Sequence, residues 1–465
     1  MKLSAVNSSV AQKEVEKLVS TAKEYLWPAF GRDTSFFGLP VSLIRAAEGR
    51  HIIDSFGNRL LETNSCGAAA SLGFNLPELV EAVSDQMNKI INTTPNQFAP
   101  TEPVVWLAEK LAAISPGSLK HTIFSSNGSD ANETALKIAR HYWKIMGKGT
   151  KYKVIHRYPG DYHGMSMSVS GASGHVFRRT PFEPLMTGFI AIHAPNCYRC
   201  PYDLAYPECN LLCARELRKV VEFEDPSTVA CFITEPTNTG LGIIPPPPGY
   251  MKMVRDICDE YEMLLIVDEV ITGFARSGFW FECEKHGIVP DMLALGKNLS
   301  WGCGPLAGTH VKSEIAEAFT GKNTLQHGYT FGGIGYLAAA GIAGIEYVEK
   351  HNLLTRASEI GDIMVRELSK IKDKSAVVGD VRANGALVGV ELVKDKKTRE
   401  IFADRVAVAN LVNKVGRENG VLFNTSTWYG DIIWLLVALT VTNEELDLIF
   451  NAVDKAVAAV ERQFR

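Results

Sequence analysis

Residues 121–146 read HTIFSSNGSDANETALKIARHYWKIM: a short β-forming run, a loop of Ser, Asn and Gly, then apolar residues at helical spacing. A strand, a tight loop and a helix in that order form the repeating unit of a parallel sheet. The alternation continues. VACFITEP (229–236), LLIVDEVITGF (264–274) and DMLALGK (291–297) read as strands, and MVRDICDEYEM (253–263) as a helix between two of them. Strands so uniformly apolar are buried on both faces, which predicts an α/β fold with a mostly parallel sheet covered by helices on both sides. Ligands of such sheets sit at the carboxyl ends of the strands.

Working outward, Val10, Val15, Leu18, Ala22 and Leu26 recur at helical spacing and predict an amphipathic N-terminal helix. Residues 43–63, LIRAAEGRHIIDSFGNRLLET, alternate as a hairpin does, with Gly57-Asn58 as the turn. Beyond about residue 335 a helical stretch precedes further strands in VVGDVRANGALVGVELVKD and IIWLLVALTV. A final helix follows, with Thr442 placed to cap it and Glu444-Glu445 at its positive end. The expected organisation is a large domain over 76–335 and a smaller α+β domain assembled from 1–75 and 336–465. PPPPG at 245–249 reads as a rigid turn.

Composition limits the function classes. The chain has 465 residues, 46% hydrophobic and 22% charged, with a formal net charge of -4. That balance gives no electrostatic footprint for nucleic acid or an anionic membrane. No apolar run approaches the roughly 20 residues that cross a bilayer. Nine cysteines are too dilute for a disulfide-stapled scaffold, so the expected compartment is the reducing cytoplasm.

Three strand-end features carry chemistry. In FSSNGSDANET, Gly128 admits close backbone approach, Ser129 offers a hydroxyl, and the following helix aims its N-terminal amides at an anion. The plainer reading of the same loop is a helix capped by Ser129 or Asp130. Asp268 and Glu269 end an apolar strand, where a carboxylate needs a cation or donor. Lys297 ends the next strand, and a lysine in low dielectric has a lowered pKa and becomes nucleophilic. A phosphate cradle, a carboxylate and such a lysine together meet the needs of pyridoxal 5'-phosphate (PLP), which takes a Schiff-base lysine and an acidic partner for its ring nitrogen.

The segments NGSDANETALKIARHYW, DYHGMS, EPTNTGLGIIPPPPGY, LLIVDEVITGFARSGFW, PDMLALGKNLS and HGYTFGG resemble, in order and spacing, the signatures of the class III or ω-aminotransferases. The resemblance runs from about residue 25 to the C-terminus. It implies the fold type I PLP-dependent transferase fold, with a sheet of the seven-stranded type. It implies further that Lys297 bonds the cofactor and shuttles the proton, that Asp268 pairs with the ring nitrogen, and that Val270 and Tyr162 enclose the ring. Gly128 and Ser129 would hold the phosphate, with Thr330 of a neighbouring subunit completing the cup in a homodimer or dimer of dimers. His163 and Glu235 would support the cofactor; His327 has similar standing, and Arg276 is expected to be structural. The implied reaction is ping-pong transfer from an ω- or β-amino donor to pyruvate or 2-oxoglutarate. A racemase, aminomutase or phospho-lyase on the same scaffold is the alternative, and a non-catalytic binding protein is more remote.

Where the family places a carboxylate-binding arginine, this chain has Trp434, followed by Val437-Ala438 in place of a Pro-Pro pair. Small residues fill 65–70, where relatives often carry a bulky one. Trp27, Ala68 and Trp434 are therefore the expected substrate-pocket residues, with a roomy pocket. Cys197, Cys200, Cys209 and Cys213 are spaced compatibly with structural zinc and equally with buried free thiols. No catalytic metal is expected.

Overall fold

The computed structural model describes residues 8–29, 43–93, 99–426 and 431–465. Its strands run β1 (Ile44–Glu48), β2 (His51–Asp54), β3 (Arg59–Glu62), β4 (Leu119–Ser125), β5 (Lys153–Tyr158), β6 (Phe189–His193), β7 (Val229–Thr234), β8 (Leu264–Asp268), β9 (Met292–Leu295) and β10 (Ala307–Lys312). The C-terminal third adds β11 (Val378–Asn384), β12 (Leu387–Leu392), β13 (Val421–Leu422), β14 (Asn424–Ser426) and β15 (Asp431–Leu435).

The central sheet has seven strands in the order β4-β10-β9-β8-β7-β5-β6. Only β10 runs against its neighbours, pairing antiparallel with both β4 and β9. The other six therefore end on one edge, and that edge gathers the loops after β4, β5, β7, β8 and β9. Two cores explain why β8 is apolar throughout. Leu265 and Val267 enter one, with Leu293, Leu295, Val254 and Ile257. Leu264 and Ile266 enter the other, with Leu136, Ile138 and Ala139 of the helix Gly128–Ile145. Side chains alternate across a strand, so a sheet covered on both faces needs apolar residues at every position.

The remaining strands form two four-stranded sheets. β13 pairs parallel with β3, which joins residues near 61 to residues near 421. The other sheet runs β11-β12-β15-β14 and lies wholly in the C-terminal third. The last helix, Asn443–Phe464, begins with a capping box in which Thr442 Oγ accepts from the Glu445 amide and Glu445 accepts from the Thr442 amide.

Several expectations are corrected. The stretch 43–63 is a three-stranded meander, because Gly49 at φ +59° turns the chain before the Gly57 turn at φ +85° does so again. In the N-terminal helix, Ser8–Tyr25, Val15 and Ala22 are buried while Leu18 is exposed, as is Leu26 just beyond its end; the Val10 side chain lies outside the described residues. The cap of the helix Gly128–Ile145 is Asn127, whose side chain accepts from the Asp130 amide at 3.1 Å; Ser129 and Asp130 lie inside the first turn.

Candidate active site

Five strand ends feed one cavity of about 660 Å³, lined among others by Gly128, Ser129, Tyr162, His163, Glu235, Asp268, Val270 and Lys297. Each arrives on a different loop. The Gly128–Ser129 pair follows β4, Tyr162-His163 follows β5, Glu235 follows β7, Asp268 closes β8, and Lys297 stands just past β9.

On the β4 side, the Ala131 and Asp130 amides both bond to Asn127, through its carbonyl and its side chain. The Gly128 and Ser129 amides have no partner among the described residues, an arrangement suited to a phosphate. The Ser129 hydroxyl accepts from the Met165 amide at 3.1 Å and keeps its own proton to donate. Backbone crowding allows no bulk here. A Cβ on Gly164, whose φ is +135°, would lie 2.4 Å from Ser129 Oγ, and one on Gly128 would lie 3.2 Å from Val270 Cγ2.

Asp268 is buried and saturated with donors. Its Oδ1 accepts from the Val270 amide at 3.0 Å, and its Oδ2 from Asn132 Nδ2 at 2.7 Å and His163 Nδ1 at 2.9 Å. Burial alone would lower the His163 pKa, but the Asp268 hydrogen bond and the charges of Asp268, Asp161 and Glu235 outweigh it, and the net shift is upward. Asp161 is held in turn by the Arg157 guanidinium through bonds of 2.8 and 2.7 Å. Glu235 accepts from the Tyr162 amide at 2.8 Å and from the Thr239 amide at 3.1 Å. Burial, reinforced by the charges of Asp161 and Asp268, raises its pKa.

Burial lowers the Lys297 pKa, although Asp268 and Glu235 oppose the shift. The residue adopts φ +46°, a left-handed conformation unusual for a side chain of this kind and of the sort that recurs at functional sites. Buried Asn132 Oδ1 and His163 Nε2 have no hydrogen-bond partner, which leaves polar capacity in and behind the cavity wall. Amides for an anion, a buried carboxylate bonded to a histidine of raised pKa, and a lysine of lowered pKa fit PLP.

A family model described as Aminotransferase class-III matches residues 38–457. The chain belongs to the class III aminotransferases. A probable aminotransferase of Mycobacterium tuberculosis is 37% identical over 83% of this chain and 82% of its own length. The taurine–pyruvate aminotransferase of Bilophila wadsworthia is 31% identical over 96% and 98%. A Bacillus anthracis aminotransferase structure superposes with a TM-score of 0.90 at 34% identity, covering 96% of this chain and 99% of that one. An amine transaminase from an uncultivated Pseudomonas species, solved with PLP bound, superposes with a TM-score of 0.89 at 30% identity, covering 94% and 98%. Class III aminotransferases depend on PLP, and this one has the fold type I architecture of its relatives.

Within this aminotransferase, the expected substrate-pocket residues are placed differently. Trp27 is 97% exposed and does not line the cavity of its own chain. Trp434 is half-buried on β15, opposite Gly389 of β12; its Nε1 would lie 3.2 Å from a Cβ on Gly242, and it too stays outside the cavity. Ala68 is fully buried against Ile243, Leu387 and Leu436, one layer behind Ile271 of the cavity wall. It ends a turn in which Ser65, Cys66, Gly67 and Ala68 have φ of 45°, 52°, 70° and 65°. Each non-glycine residue in that conformation costs roughly 1–2 kcal/mol. The Glu62 carboxylate offsets part of this by accepting from the Asn64 and Cys66 amides.

Thr330 is exposed and lies outside its own chain's cavity. His327 packs on the helix Gly128–Ile145, with Nε2 2.9 Å from Thr134 Oγ1. Arg276 is fully buried and donates to the Leu436 and Val437 carbonyls. Cys197, Cys200, Cys209 and Cys213 line one small cavity of about 20 Å³ as free thiols. Among the described residues no group of three or more His, Cys, Asp or Glu is arranged for a metal. No helix there is long and apolar enough to cross a membrane.

Proposed function

We propose that this class III aminotransferase moves an amino group from an ω- or β-amino donor to a keto acid by ping-pong transfer, with pyruvate as the favoured acceptor. The observation that carries this reading is the delivery of Lys297 and Asp268 into one cavity beside the Gly128–Ser129 cradle. PLP, when bound, supplies an electron sink for a substrate carbon that has lost its proton. The Gly128 and Ser129 amides and the Ser129 hydroxyl would hold its phosphate, and Val270 and Tyr162 its ring. Asp268, held by the His163 ring at 2.9 Å, would stabilise positive charge on the ring nitrogen. Lys297 Nζ, its proton affinity lowered by burial, would take the proton from the substrate carbon and return it one atom away.

The donor class is supported by the taurine–pyruvate relative and by a solved ω-transaminase that superposes with a TM-score of 0.89 at 30% identity. Among the described residues no arginine lines the cavity, which favours a monocarboxylate over the dicarboxylate 2-oxoglutarate. Thr330, exposed on its own chain, fits a cavity completed by a second copy in a homodimer or dimer of dimers. The free thiols fit a reducing cytoplasm.

The test is a donor and acceptor screen on PLP-loaded protein. Lys297→Ala is expected to keep the cofactor while turnover falls by roughly 10⁴-fold or more; near-normal turnover in that variant rules the mechanism out. Product formation without an added keto acid would instead favour a racemase, mutase or lyase.

A further inference from the structure

Asn132 stands in the second turn of the helix Gly128–Ile145, four residues after the glycine that opens it and therefore on the same face. The helix brings its first amides to one point of the cavity and the Asn132 side chain to another, about 6 Å further along its axis. Asn132 is 1% exposed and lines the cavity. An asparagine is a poor choice for a helix interior, where alanine or leucine is intrinsically preferred.

Its hydrogen bonds give the reason. Asn132 Nδ2 donates to the His163 carbonyl at 2.8 Å and to Asp268 Oδ2 at 2.7 Å. Both partners are acceptors, so only the amide nitrogen can face them and the side chain cannot be turned over. Oδ1 is left buried without a partner, which is destabilising. The use of this residue therefore lies in its donor.

Counting acceptor sites shows what that donor does for Asp268. A carboxylate offers about two sites on each oxygen. Asp268 Oδ2 accepts from Asn132 Nδ2 and from His163 Nδ1 at 2.9 Å, and is full. Oδ1 accepts only from the Val270 amide at 3.0 Å among the described residues, and keeps one site open. Two donors on different elements, a helix and the loop after β5, stop the carboxylate from exchanging its oxygens by rotation. The bond from Nδ2 to the His163 carbonyl also fixes the loop that carries the second donor.

We propose that Asn132 is a positioning residue for the cofactor's ring nitrogen: it occupies Asp268 Oδ2 and so presents Oδ1 as the acceptor for the ring N–H. This rests on the reading that Asp268 pairs with that nitrogen. One helix then serves both ends of the cofactor, with its first amides at the phosphate and Asn132 behind the carboxylate.

The test compares the binding of PLP and of 1-deazapyridoxal 5'-phosphate, in which a C–H replaces the ring nitrogen, to the full chain stripped of cofactor. Both compounds carry the same aldehyde and phosphate, so Lys297 and the Gly128–Ser129 cradle treat them alike. Only the hydrogen bond of the nitrogen differs. Wild-type protein is expected to bind PLP about 10- to 100-fold more tightly than the deaza compound. In Asn132→Leu the Kd for PLP should rise about tenfold while that for the deaza compound stays within about twofold, so the preference shrinks. Unchanged binding of both overturns the assignment. Equal weakening of both overturns it as well, because Asn132 would then act only by bracing the His163 loop. Should the leucine variant not fold, Asn132→Ala, which favours the helix and adds no bulk, reads the same ratio with the same expected loss. Failure of the underlying reading would show separately, as wild-type protein that binds both compounds equally tightly: Asp268 would then not take the ring nitrogen, and the role of Asn132 would fall with it.

Discussion

Asp268 and Glu269 are consecutive acids at the end of one strand, both buried, and they live in opposite surroundings. Asp268 continues the row of Leu264 and Ile266, and its carboxylate meets the Asn132 amide, the Val270 backbone and a histidine of raised pKa. Glu269 continues the row of Leu265 and Val267. Its carboxylate meets Thr272 Oγ1 at 2.5 Å and the Glu282 and Cys283 amides at 3.0 and 2.8 Å. Burial and the neighbouring Glu282 carboxylate push Glu269 up to about 8. Burial alone therefore does not decide what a strand-end acid is for. The partner does: on the cavity face the carboxylate meets donors, one of them a histidine of raised pKa, and on the core face a second acid holds the carboxyl's pKa up.

The comparison breaks most visibly at Asp268. Asp268→Asn keeps shape and removes charge, and kcat/KM is expected to fall by roughly 10²–10³-fold with PLP still bound. Steady-state kinetics check this, and a loss of less than tenfold would mean that the cavity face needs no charge. Next comes His163→Gln, whose amide can still donate to Asp268 but brings no positive charge. Activity should drop by about tenfold. The pH profile adds a sharper readout. A histidine of raised pKa is charged at low pH and loses its proton as pH rises through the raised value, so the wild type should lose activity on that alkaline limb and the glutamine variant should not.

Why Asp268 and Lys297 could be noticed before any coordinates follows from the same physics. A charge ending an apolar run of four or five residues is conspicuous, and the parallel-sheet pattern puts all such ends on one edge. The mostly parallel sheet was legible for the same reason: strands buried on both faces carry their assignment in their own composition, whereas the strand count of seven came only with the family resemblance. The helix cap was missed by two or three positions, because Ser, Asn and Asp crowd the loop and any of them can cap. Ala68 and Trp434 were harder. Their places depend on contacts such as Ser65 Oγ to the Leu436 carbonyl at 2.6 Å, which join residues 371 apart in the chain. The turn at 65–68 leaves no periodic signature, since four consecutive left-handed residues follow no helix or strand spacing.

The smallest effect should come from the core face, and it should appear in stability alone. The folded chain keeps Glu269 protonated up to about 8, while an unfolded chain releases that proton near the ordinary glutamate value of 4.5. Between those values the folded state binds more protons than the unfolded one, so stability falls as pH rises across that window. Glu269→Gln holds a neutral side chain of the same size at every pH. Its Tm is expected to match the wild type near the bottom of the window and to exceed it by a few degrees, about 2–4 °C per kcal/mol recovered, near the top. Activity should stay within about twofold throughout, because Glu269 is absent from the cavity lining. Thermal melts of PLP-loaded protein at both ends of the window measure this. Parallel curves for the two proteins would mean that Glu269 is already ionised in the core, and the contrast with Asp268 would then lie in its partners' geometry rather than in its charge.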